Sequence, residues 1–305
     1  MTSNSYHNPV LLHAATSGLN LQPGGIYVDV TFGGGGHSRE ILSHLTTGKL
    51  FAFDQDAEAA ANVPQNEKFV FIPANFRNIT NSLRTYGVTS VNGILADLGV
   101  SSHQFDAAHR GFSIRFEAKL DMRMNHSQSL SAFDVINRYE PHDLKRIFRM
   151  YGEVENAGRL VNEIDSARKN SSVETTAQLI SIAEKTAPRN KVKQYLAQVF
   201  QALRIEVNDE MGALKELLKQ STQLLKPGGR LSVISYHSLE DRLVKNWMKA
   251  GNDEGEVKKD FYGNPLKPFT EITRKPLIPD AAEIEQNPRA RSAKLRIAER
   301  TNEPV

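Results

Sequence analysis

The amino-acid sequence predicts an α/β fold in which a Rossmann-like, mostly parallel sheet is interrupted by a helical insertion. Short runs rich in β-branched and aromatic residues alternate with helical patterns up to residue 97, and the alternation returns after residue 206. This alternation is typical of a parallel sheet covered by helices. Residues 106–200 show almost no strand pattern. We therefore predict a discontinuous α/β domain of residues 1–105 and 201–305, with residues 106–200 as an inserted helical domain.

The composition of the 305-residue chain restricts its class further. The chain has no cysteine, which excludes disulfides, thiolate zinc sites and cysteine nucleophiles and fits a cytoplasmic protein. No apolar run approaches the roughly 20 residues of a membrane-spanning helix, and the first residues do not resemble a secretory signal. The net charge of +3 is small, so a surface that binds nucleic acid must be local. We expect a cytoplasmic protein with no membrane partner.

The spacing of apolar residues predicts seven strands and the helices between them. The predicted strands comprise residues 26–28, 49–53, 69–72, 92–97, 230–236, 270–274 and 294–298. Helices of the α/β domain are predicted at residues 7–20, 39–45, 57–62, 75–86, 206–225 and 238–250. Helices of the insertion are predicted at residues 130–136, 142–150, 156–167, 177–185 and 192–200, with residues 172–176 as a capped helix start.

A glycine-rich turn follows the first strand, where residues 29–38 read DVTFGGGGHS. Four consecutive glycines, Gly33 to Gly36, allow the backbone to turn sharply and to approach a ligand closely. The next helix directs its free N–H groups towards the turn. Asp54 ends the second strand, about 25 positions after the end of the first strand. A ribose-binding carboxylate lies at this spacing in nucleotide-binding folds. The alternatives are a turn without a ligand and a helix N-cap role for Asp54.

The residues of this turn favour S-adenosylmethionine over a dinucleotide. A dehydrogenase normally has separated glycines, G-x-G-x-x-G, and no acid at the start of the turn, whereas Asp29 comes first here. An acid at this position suits the cationic sulfonium and the amino group of S-adenosylmethionine. No G-K-S/T follows the glycines, which excludes a P-loop. Phe76, at the start of a predicted helix, offers a ring face to an adenine, and a core position is equally compatible.

Asp97 ends the fourth predicted strand and is the candidate catalytic residue. Ligands of α/β sheets bind beyond the carboxyl ends of the strands, which places Asp97 in the active-site crevice. The exocyclic amine of cytosine or adenine is a poor nucleophile, because its lone pair is delocalised into the ring. A carboxylate that accepts its N–H bonds would direct the lone pair at the methyl group, so that catalysis is mostly positioning and electrostatics. A strand-end cap is the alternative.

Seven motifs in order make the chain similar to the bacterial MraW/RsmH family. They are DVTFGGGGHS (29–38), DLGVSSHQFD (97–106), RGFS (110–113), LDMRM (120–124), FQALRIEVN (200–208), SYHSLEDRLVK (235–245) and NPRARSAKLRIAER (287–300). Members of this family methylate the N4 amine of a decoding-centre cytidine in 16S rRNA of the 30S subunit. The resemblance implies the same reaction here, with cofactor contacts at Gly34, Gly35, Gly36, His37, Asp54, Phe76, Asp97 and Gln104.

RNA contacts are predicted where basic residues cluster. Residues 289–300 hold five basic residues and one acid, and we predict RNA contacts at Arg289, Arg291 and Arg296. Tyr236 and His237 are predicted to line the pocket or to contact RNA, with core packing as the alternative. A second cluster contains Arg189, Lys191 and Lys193, beside Tyr195. A solvated charged surface is the alternative for both clusters.

A flipped or single-stranded target base is expected, with the helical insertion as a second RNA-recognition element. We expect no metal, because methyl transfer to an amine requires none, and a homodimer is compatible with the sequence. Two other functions remain open: methylation of a different amine on DNA or protein, and an RNA-binding assembly role that retains the pocket only as structure. A dehydrogenase is a more distant alternative.

Overall fold

The computed structural model describes residues 9–303, and the chain divides into two compact units. One unit comprises Met1–Gly99 and Met211–Val305, and the other comprises Val100–Glu210. The sequence-based bounds of the helical insertion were residues 106 and 200, so the helical unit begins earlier and ends later than predicted. The start of the helix predicted at residues 7–20 lies outside the described residues.

A seven-stranded sheet forms the centre of the first unit. Its strands are β1 (Ile26–Asp29), β2 (Lys49–Phe53), β3 (Phe69–Ile72), β4 (Val91–Asp97), β5 (Leu225–Ser235), β6 (Phe269–Glu271) and β7 (Lys294–Arg300). The strand order is β3-β2-β1-β4-β5-β7-β6. Strands β1 to β5 pair in parallel, whereas β7 is antiparallel to both β5 and β6. The predicted α/β class with a mostly parallel sheet is confirmed.

Both faces of the sheet are buried, which explains why its strands contain nearly continuous apolar runs. Successive residues of β2 alternate between two cores: Leu50 lies in one, and Phe51 lies in the other. Neighbouring Tyr27 and Val28 of β1 are divided in the same way. This period of two is the geometry of a pleated strand with helices packed on each face.

Twelve α-helices lie within residues 9–303. In chain order they are α1 (Leu12–Ser17), α2 (Gly36–His44), α3 (Ile79–Arg84), α4 (Ser102–Asp106), α5 (Ala132–Arg138), α6 (Pro141–Met150), α7 (Ala157–Asn170), α8 (Thr176–Glu184), α9 (Val192–Asn208), α10 (Glu210–Leu224), α11 (Ser238–Ala250) and α12 (Ala281–Gln286). Residues 57–62 and the first turn of the helix predicted at 75–86 are 3-10 helices instead. The short helices α4 and α12 were not predicted.

The helical unit has its own core, to which α5 to α9 all contribute. Capping boxes begin α5 at Ser131 and α8 at Thr175, the latter within the predicted helix start. Buried Arg110 donates hydrogen bonds from Nη2 to the carbonyl oxygens of Arg123 (3.0 Å) and Met124 (3.1 Å). Its guanidinium thereby holds a loop that carries little regular structure.

The prediction of one continuous helix over residues 206–225 was wrong. Helix α9 ends at Asn208, and α10 begins at Glu210, because Asp209 between them adopts a left-handed conformation with φ of 45°. Aspartate tolerates this region better than most residues, since its short polar side chain forms local hydrogen bonds. The Arg204 side chain bonds Glu210 across the break at 2.8 and 3.0 Å.

Candidate active site

Three aspartates lie at the carboxyl ends of neighbouring parallel strands in the first unit. Asp29 ends β1, Asp54 follows β2, and Asp97 ends β4. Strands β2, β1 and β4 are adjacent in the sheet, so the three residues occupy one edge of it. In an open α/β sheet this edge is where ligands bind.

Asp29 lies inside the protein, with no exposed surface. Its carboxylate accepts hydrogen bonds from the Thr31 backbone N–H (3.1 Å) and from the Ser38 hydroxyl (2.7 Å). Burial raises the pKa of Asp29, and nearby His37 opposes this rise. Asp29 therefore ties the end of β1 to the first turn of α2. The sequence predicts Asp29 as a cofactor contact, and that contact stays a prediction. Within the protein, its carboxylate supports the turn itself.

The glycine turn passes from β1 to α2 with two residues in the left-handed region, Gly33 (φ 49°) and Gly35 (φ 73°). A Cβ atom on Gly35 would lie 2.8 Å from a ring carbon of Phe32. A Cβ atom on Gly36 would lie 2.0 Å from Cγ of Pro9. Both positions therefore exclude any side chain, whereas Gly34 remains partly exposed at the bend.

Asp54 braces the turn from the end of β2. Its Oδ2 accepts the Gly33 N–H and its Oδ1 accepts the Asp56 N–H, both at 2.8 Å. A carboxylate has about four acceptor positions, so these two bonds leave capacity for ribose hydroxyls. Burial raises the pKa of Asp54 to about 6. The N-cap of the following 3-10 helix is Asp56 rather than Asp54, because Asp56 accepts the Glu58 N–H.

Phe76 begins the 3-10 helix after β3 and is half-buried. It packs partly against the core that contains Val28 and Phe53. Asn75 holds this turn, since its side chain accepts the Arg77 N–H (2.9 Å) and donates to Gln55 (2.8 Å). The ring of Phe76 thus combines a core contact with an exposed part, as an adenine-covering position requires.

Asp97 retains 23% of its side-chain exposure and is held from three sides. Its backbone N–H donates to the Thr31 hydroxyl (2.6 Å), and its Oδ1 accepts the Tyr236 hydroxyl (2.7 Å). The Nδ1 atom of His37 lies 3.9 Å from Oδ2 of Asp97. Burial raises the pKa of Asp97 to about 6, although His37 and the Tyr236 hydrogen bond each lower it.

His37 is buried in the first turn of α2, and its Nε2 lies 3.1 Å from the carbonyl oxygen of Val10. A carbonyl only accepts, so Nε2 carries the proton in this bond and Nδ1 faces Asp97. The structure therefore places His37 between the glycine turn and the candidate catalytic carboxylate.

Tyr236 and His237 link the end of β5 to the start of α11. Glu240 holds this segment, since its Oε2 accepts the backbone N–H groups of Tyr236 (2.8 Å) and His237 (3.3 Å). His237 in turn caps α11 by accepting the Glu240 N–H at Nδ1 (3.3 Å). Burial, followed by the proximity of Asp97, raises the pKa of Tyr236 well above 10. His237 thus has a structural cap role, whereas Tyr236 reaches the active-site carboxylate.

Sequence reasoning missed Thr31, Ser38 and Glu240 as supports of the site. Thr31 and Ser38 belong to the DVTFGGGGHS motif, and their hydroxyls bond Asp97 and Asp29 respectively. Glu240 lies three residues after His237, which is the spacing of a capping box and therefore a usable signal.

Gln104 lies in the helical unit, on α4. Its side-chain Oε1 accepts the Ser101 N–H (3.0 Å), and Ser101 accepts the Gln104 N–H (3.2 Å). These two bonds form a capping box. The structure therefore gives Gln104 a local structural role, and its proposed cofactor contact stays a prediction.

Both arginines of β7, Arg296 and Arg300, are buried, whereas Lys294 of the same strand is partly exposed. Arg296 is 8% exposed, and its Nε donates to Asp241 Oδ1 (2.7 Å). Arg300 is also buried and donates to the Thr222 carbonyl oxygen (2.9 Å). The prediction that Arg296 contacts RNA is corrected, because β7 is paired on both edges and packs against α11. Arg289 is half-buried, and Arg291 is exposed.

The residues at this sheet edge fit S-adenosylmethionine in the chemistry of their groups. The turn from Gly33 to Gly36 lets backbone approach a ligand, the carboxylate of Asp54 can accept ribose hydroxyls, and Phe76 offers a ring face to adenine. No helix within residues 9–303 has both the length and the apolar character needed to cross a membrane.

The protein has the class I fold of S-adenosylmethionine-dependent methyltransferases. Four features define this fold: the sheet order, the single antiparallel strand near the sheet edge, the glycine turn after β1 and the acids at the ends of β2 and β4. The sequence model of the MraW methylase family matches residues 4–301. The chain belongs to this family, as the sequence motifs predicted.

Curated relatives are similar to this chain over nearly its whole length. Ribosomal RNA small subunit methyltransferase H of Flavobacterium johnsoniae is 57% identical over 300 residues, which cover 98% of this chain and 99% of that protein. The protein of the same name from Cytophaga hutchinsonii is 57% identical over 97% of this chain and 99% of its own length. That of Phocaeicola vulgatus is 54% identical over 97% of each.

Proposed function

We propose that this chain methylates the N4 amine of a cytidine in the decoding centre of 16S rRNA, using S-adenosylmethionine as methyl donor. The observation that carries the proposal is the Asp97 carboxylate, partly exposed at the carboxyl end of β4 and held by the Tyr236 hydroxyl at 2.7 Å. The names of the relatives support ribosomal RNA of the small subunit as substrate. The choice of cytidine N4 rests on the motif resemblance and on the chemistry of Asp97.

Asp97 acts on the amine by accepting its N–H bonds. These hydrogen bonds localise the nitrogen lone pair and orient it for in-line attack, which is a positioning contribution. When bound, S-adenosylmethionine supplies an electrophilic methyl group on a sulfonium centre. The methylated nitrogen must lose one proton, and a carboxylate with a pKa of about 6 is ionised at neutral pH and can accept it.

The supporting residues hold Asp97 in this state. Tyr236 fixes one carboxylate oxygen, and the Thr31 hydroxyl fixes the backbone position of Asp97. His37 lies on the other side, where its imidazolium form would favour the ionised carboxylate. Asp97 is therefore assigned as the catalytic residue, with Tyr236 and Thr31 as positioning residues.

The cofactor is assigned to the turn and the neighbouring strand ends. Gly34 and its flanking glycines approach it with backbone, Asp54 accepts the ribose hydroxyls, and Phe76 covers the adenine. Asp29 acts through the turn that it ties to α2. Gln104 is kept as a cofactor contact. The helical unit and the exposed Arg291 are assigned to RNA recognition, with the RNA substrate in a 30S particle in the cytoplasm.

Transfer of labelled methyl from S-adenosylmethionine to unmethylated 30S subunits tests this function. Wild-type protein is expected to label 16S rRNA, and digestion to nucleosides should yield N4-methylcytidine. Asp97→Asn should lose at least 100-fold in kcat, because its neutral amide presents no ionised acceptor, while S-adenosylhomocysteine still binds. Label on another base, or none on rRNA with cofactor binding intact, would favour a different amine substrate or an assembly role.

A further inference from the structure

A short hairpin between α11 and β6 projects two aromatic side chains from the first unit. Lys259 pairs with Pro265 in an antiparallel bridge, and the Leu266 N–H donates to the Lys258 carbonyl oxygen (2.8 Å). At its end, the Gly263 N–H donates to the Asp260 carbonyl oxygen (3.1 Å). We call residues 258–266 the basic hairpin.

The two central residues of this turn are Phe261 and Tyr262. Phe261 is 96% exposed and Tyr262 is 86% exposed. The two rings contact each other edge to face, with centroids 5.5 Å apart and an interplanar angle of 88°. Turn centres usually carry small or polar residues, and exposed phenylalanine gains nothing from the hydrophobic effect. Adjacent exposed aromatics of this kind indicate a surface that a partner covers.

The hairpin holds its shape without packing from these rings. The Asp260 carboxylate accepts three hydrogen bonds, from the backbone N–H groups of Tyr262 and Asn264 (both 2.8 Å) and from the Asn264 side chain (2.9 Å). Gly263 supplies the left-handed residue after the turn, with φ of 88°. The aromatic pair is thus presented by a preorganised backbone, which lowers the entropic cost of binding.

Within residues 258–267 the charged side chains are mainly positive, whereas Asp253, Glu254 and Glu256 precede this segment. Lys258, Lys259 and Lys267 are all exposed. The nearby acid, Asp260, directs its carboxylate into the turn and is bonded there by three N–H groups. A partner that meets this surface therefore meets aromatic faces flanked by ammonium groups. This combination complements unpaired bases joined by phosphates.

We propose that the basic hairpin binds single-stranded RNA, with bases stacked on Phe261 and Tyr262 and phosphates against Lys258 and Lys259. The identity of that RNA as part of the methylation substrate rests on the proposed function. An apolar protein surface would cover the rings but would gain nothing from the three flanking lysines. The charge pattern therefore favours RNA.

Fluorescence anisotropy with a labelled 12-nucleotide single-stranded RNA of mixed sequence tests the hairpin on the full-length protein, without cofactor. Phe261→Ala/Tyr262→Ala should weaken binding by about tenfold or more. Lys258→Gln/Lys259→Gln should reduce the slope of log affinity against log salt by about 1.4, since each phosphate contact on a single strand contributes about 0.7. An RNA duplex of the same length should show no loss from the aromatic substitution.

Matched controls separate the hairpin from general charge and exposure. Lys49→Gln/Lys219→Gln removes two exposed charges elsewhere, and Ile278→Ala truncates an exposed apolar side chain outside the hairpin. Both controls should bind the RNA as wild type does, and thermal melts should confirm that all variants fold. The proposal is overturned if wild type does not bind the single strand, or if the aromatic variant binds it equally well.

A second measurement identifies a competing partner and keeps the two proposals distinct. If the aromatic substitution converts a dimer to a monomer in light scattering and leaves RNA affinity unchanged, the rings are a self-association surface and the RNA proposal fails. If the RNA binding is lost as expected but wild type labels no rRNA, the hairpin proposal holds and the proposed methylation fails. If wild type labels rRNA and the aromatic variant binds the single strand as tightly as wild type, the proposed methylation holds and the hairpin proposal fails.

Discussion

The hydroxyl of Tyr236 donates a 2.7 Å hydrogen bond to the carboxylate of Asp97, although 139 positions separate the two residues in the chain. The bond joins the end of β5 to the end of β4, which are neighbours in the sheet. It lowers the pKa of Asp97 and fixes one of its two oxygens, leaving the other near His37. Tyr236 thus influences both the orientation and the protonation of the candidate catalytic group.

Tyr236→Phe is expected to reduce kcat for methyl transfer by about tenfold, which corresponds to ~1.4 kcal/mol and is typical of a hydrogen bond to a charged group. Because this hydrogen bond lowers the pKa of Asp97, its loss should also move the acid limb of the kcat–pH profile to higher pH. Cofactor affinity should be unchanged. Tyr27→Phe, which removes a 2.7 Å bond from the Gln22 N–H and leaves the Asp97 contacts in place, is the control and should not move the profile.

The pH dependence of the wild-type protein should report two carboxyls separately. Asp97 and Asp54 both have pKa values raised to about 6. At saturating cofactor, kcat should fall about tenfold between pH 7 and pH 5, because Asp97 becomes protonated. The affinity for S-adenosylhomocysteine should weaken over the same range through Asp54. A flat kcat profile down to pH 5 would contradict the role of an ionised Asp97.

Asp97→Asn should stabilise the protein while it lowers kcat at least 100-fold. A carboxyl with a raised pKa prefers its neutral form in the fold, so ionisation costs folding free energy above pH 6, and this cost is absent below the unfolded pKa near 4. The variant should therefore exceed wild type by ~1–3 kcal/mol in unfolding free energy at pH 8 and match it near pH 4. Urea denaturation at the two pH values measures this, and equal stability at pH 8 would refute it.

The sequence was sufficient for the strands and the turn because their signals are local. Strands buried on both faces leave continuous apolar runs, and a turn that excludes Cβ atoms at Gly35 and Gly36 requires glycine. The acids at the strand ends are also local signals, because each directly follows or closes one of these apolar runs. The sequence alone therefore predicts a candidate site at the carboxyl ends of these strands.

The features that the sequence did not reveal depend on distant partners or on a single backbone angle. The basic character of residues 289–300 predicts an RNA contact at Arg296, but Asp241, which pairs with it, lies 55 positions away. The break at Asp209 reflects one left-handed residue within a helical pattern that continues on both sides. The Tyr236 contact with Asp97 required the strand order, which local patterns do not specify.

The Arg296–Asp241 pair predicts a stability effect rather than an RNA effect. Arg296→Met should destabilise the fold by ~1–3 kcal/mol, because it removes the main partner of a half-buried carboxylate whose pKa this arginine lowers, while Lys294 still bonds Asp241 at 3.2 Å. The double variant Arg296→Met/Asp241→Leu should recover most of that loss. Arg291→Gln, at an exposed position, should change stability by less than ~0.5 kcal/mol. Denaturant titration of the three variants decides between the two roles.

A comparison of Gly35→Ala with Gly228→Ala measures how much the close packing of the glycine turn, beyond backbone strain alone, contributes to the free energy of unfolding. The two glycines have nearly the same φ, 73° and 78°, but a Cβ on Gly35 would lie 2.8 Å from Phe32, whereas Gly228 has nothing within 4 Å. Gly228→Ala should cost ~1–2 kcal/mol through the left-handed backbone alone. Gly35→Ala should cost ~1–3 kcal/mol more, because the added methyl group overpacks the turn.

The same two variants test whether the geometry of the glycine turn determines cofactor affinity. Gly35→Ala should weaken S-adenosylhomocysteine binding by at least tenfold in calorimetry, because the displaced turn also carries the Gly33 N–H that Asp54 accepts. Gly228→Ala should bind it as wild type does. Equal losses of stability and affinity in the two variants would show that backbone strain, and not the close packing against Phe32, accounts for the requirement for glycine at residue 35.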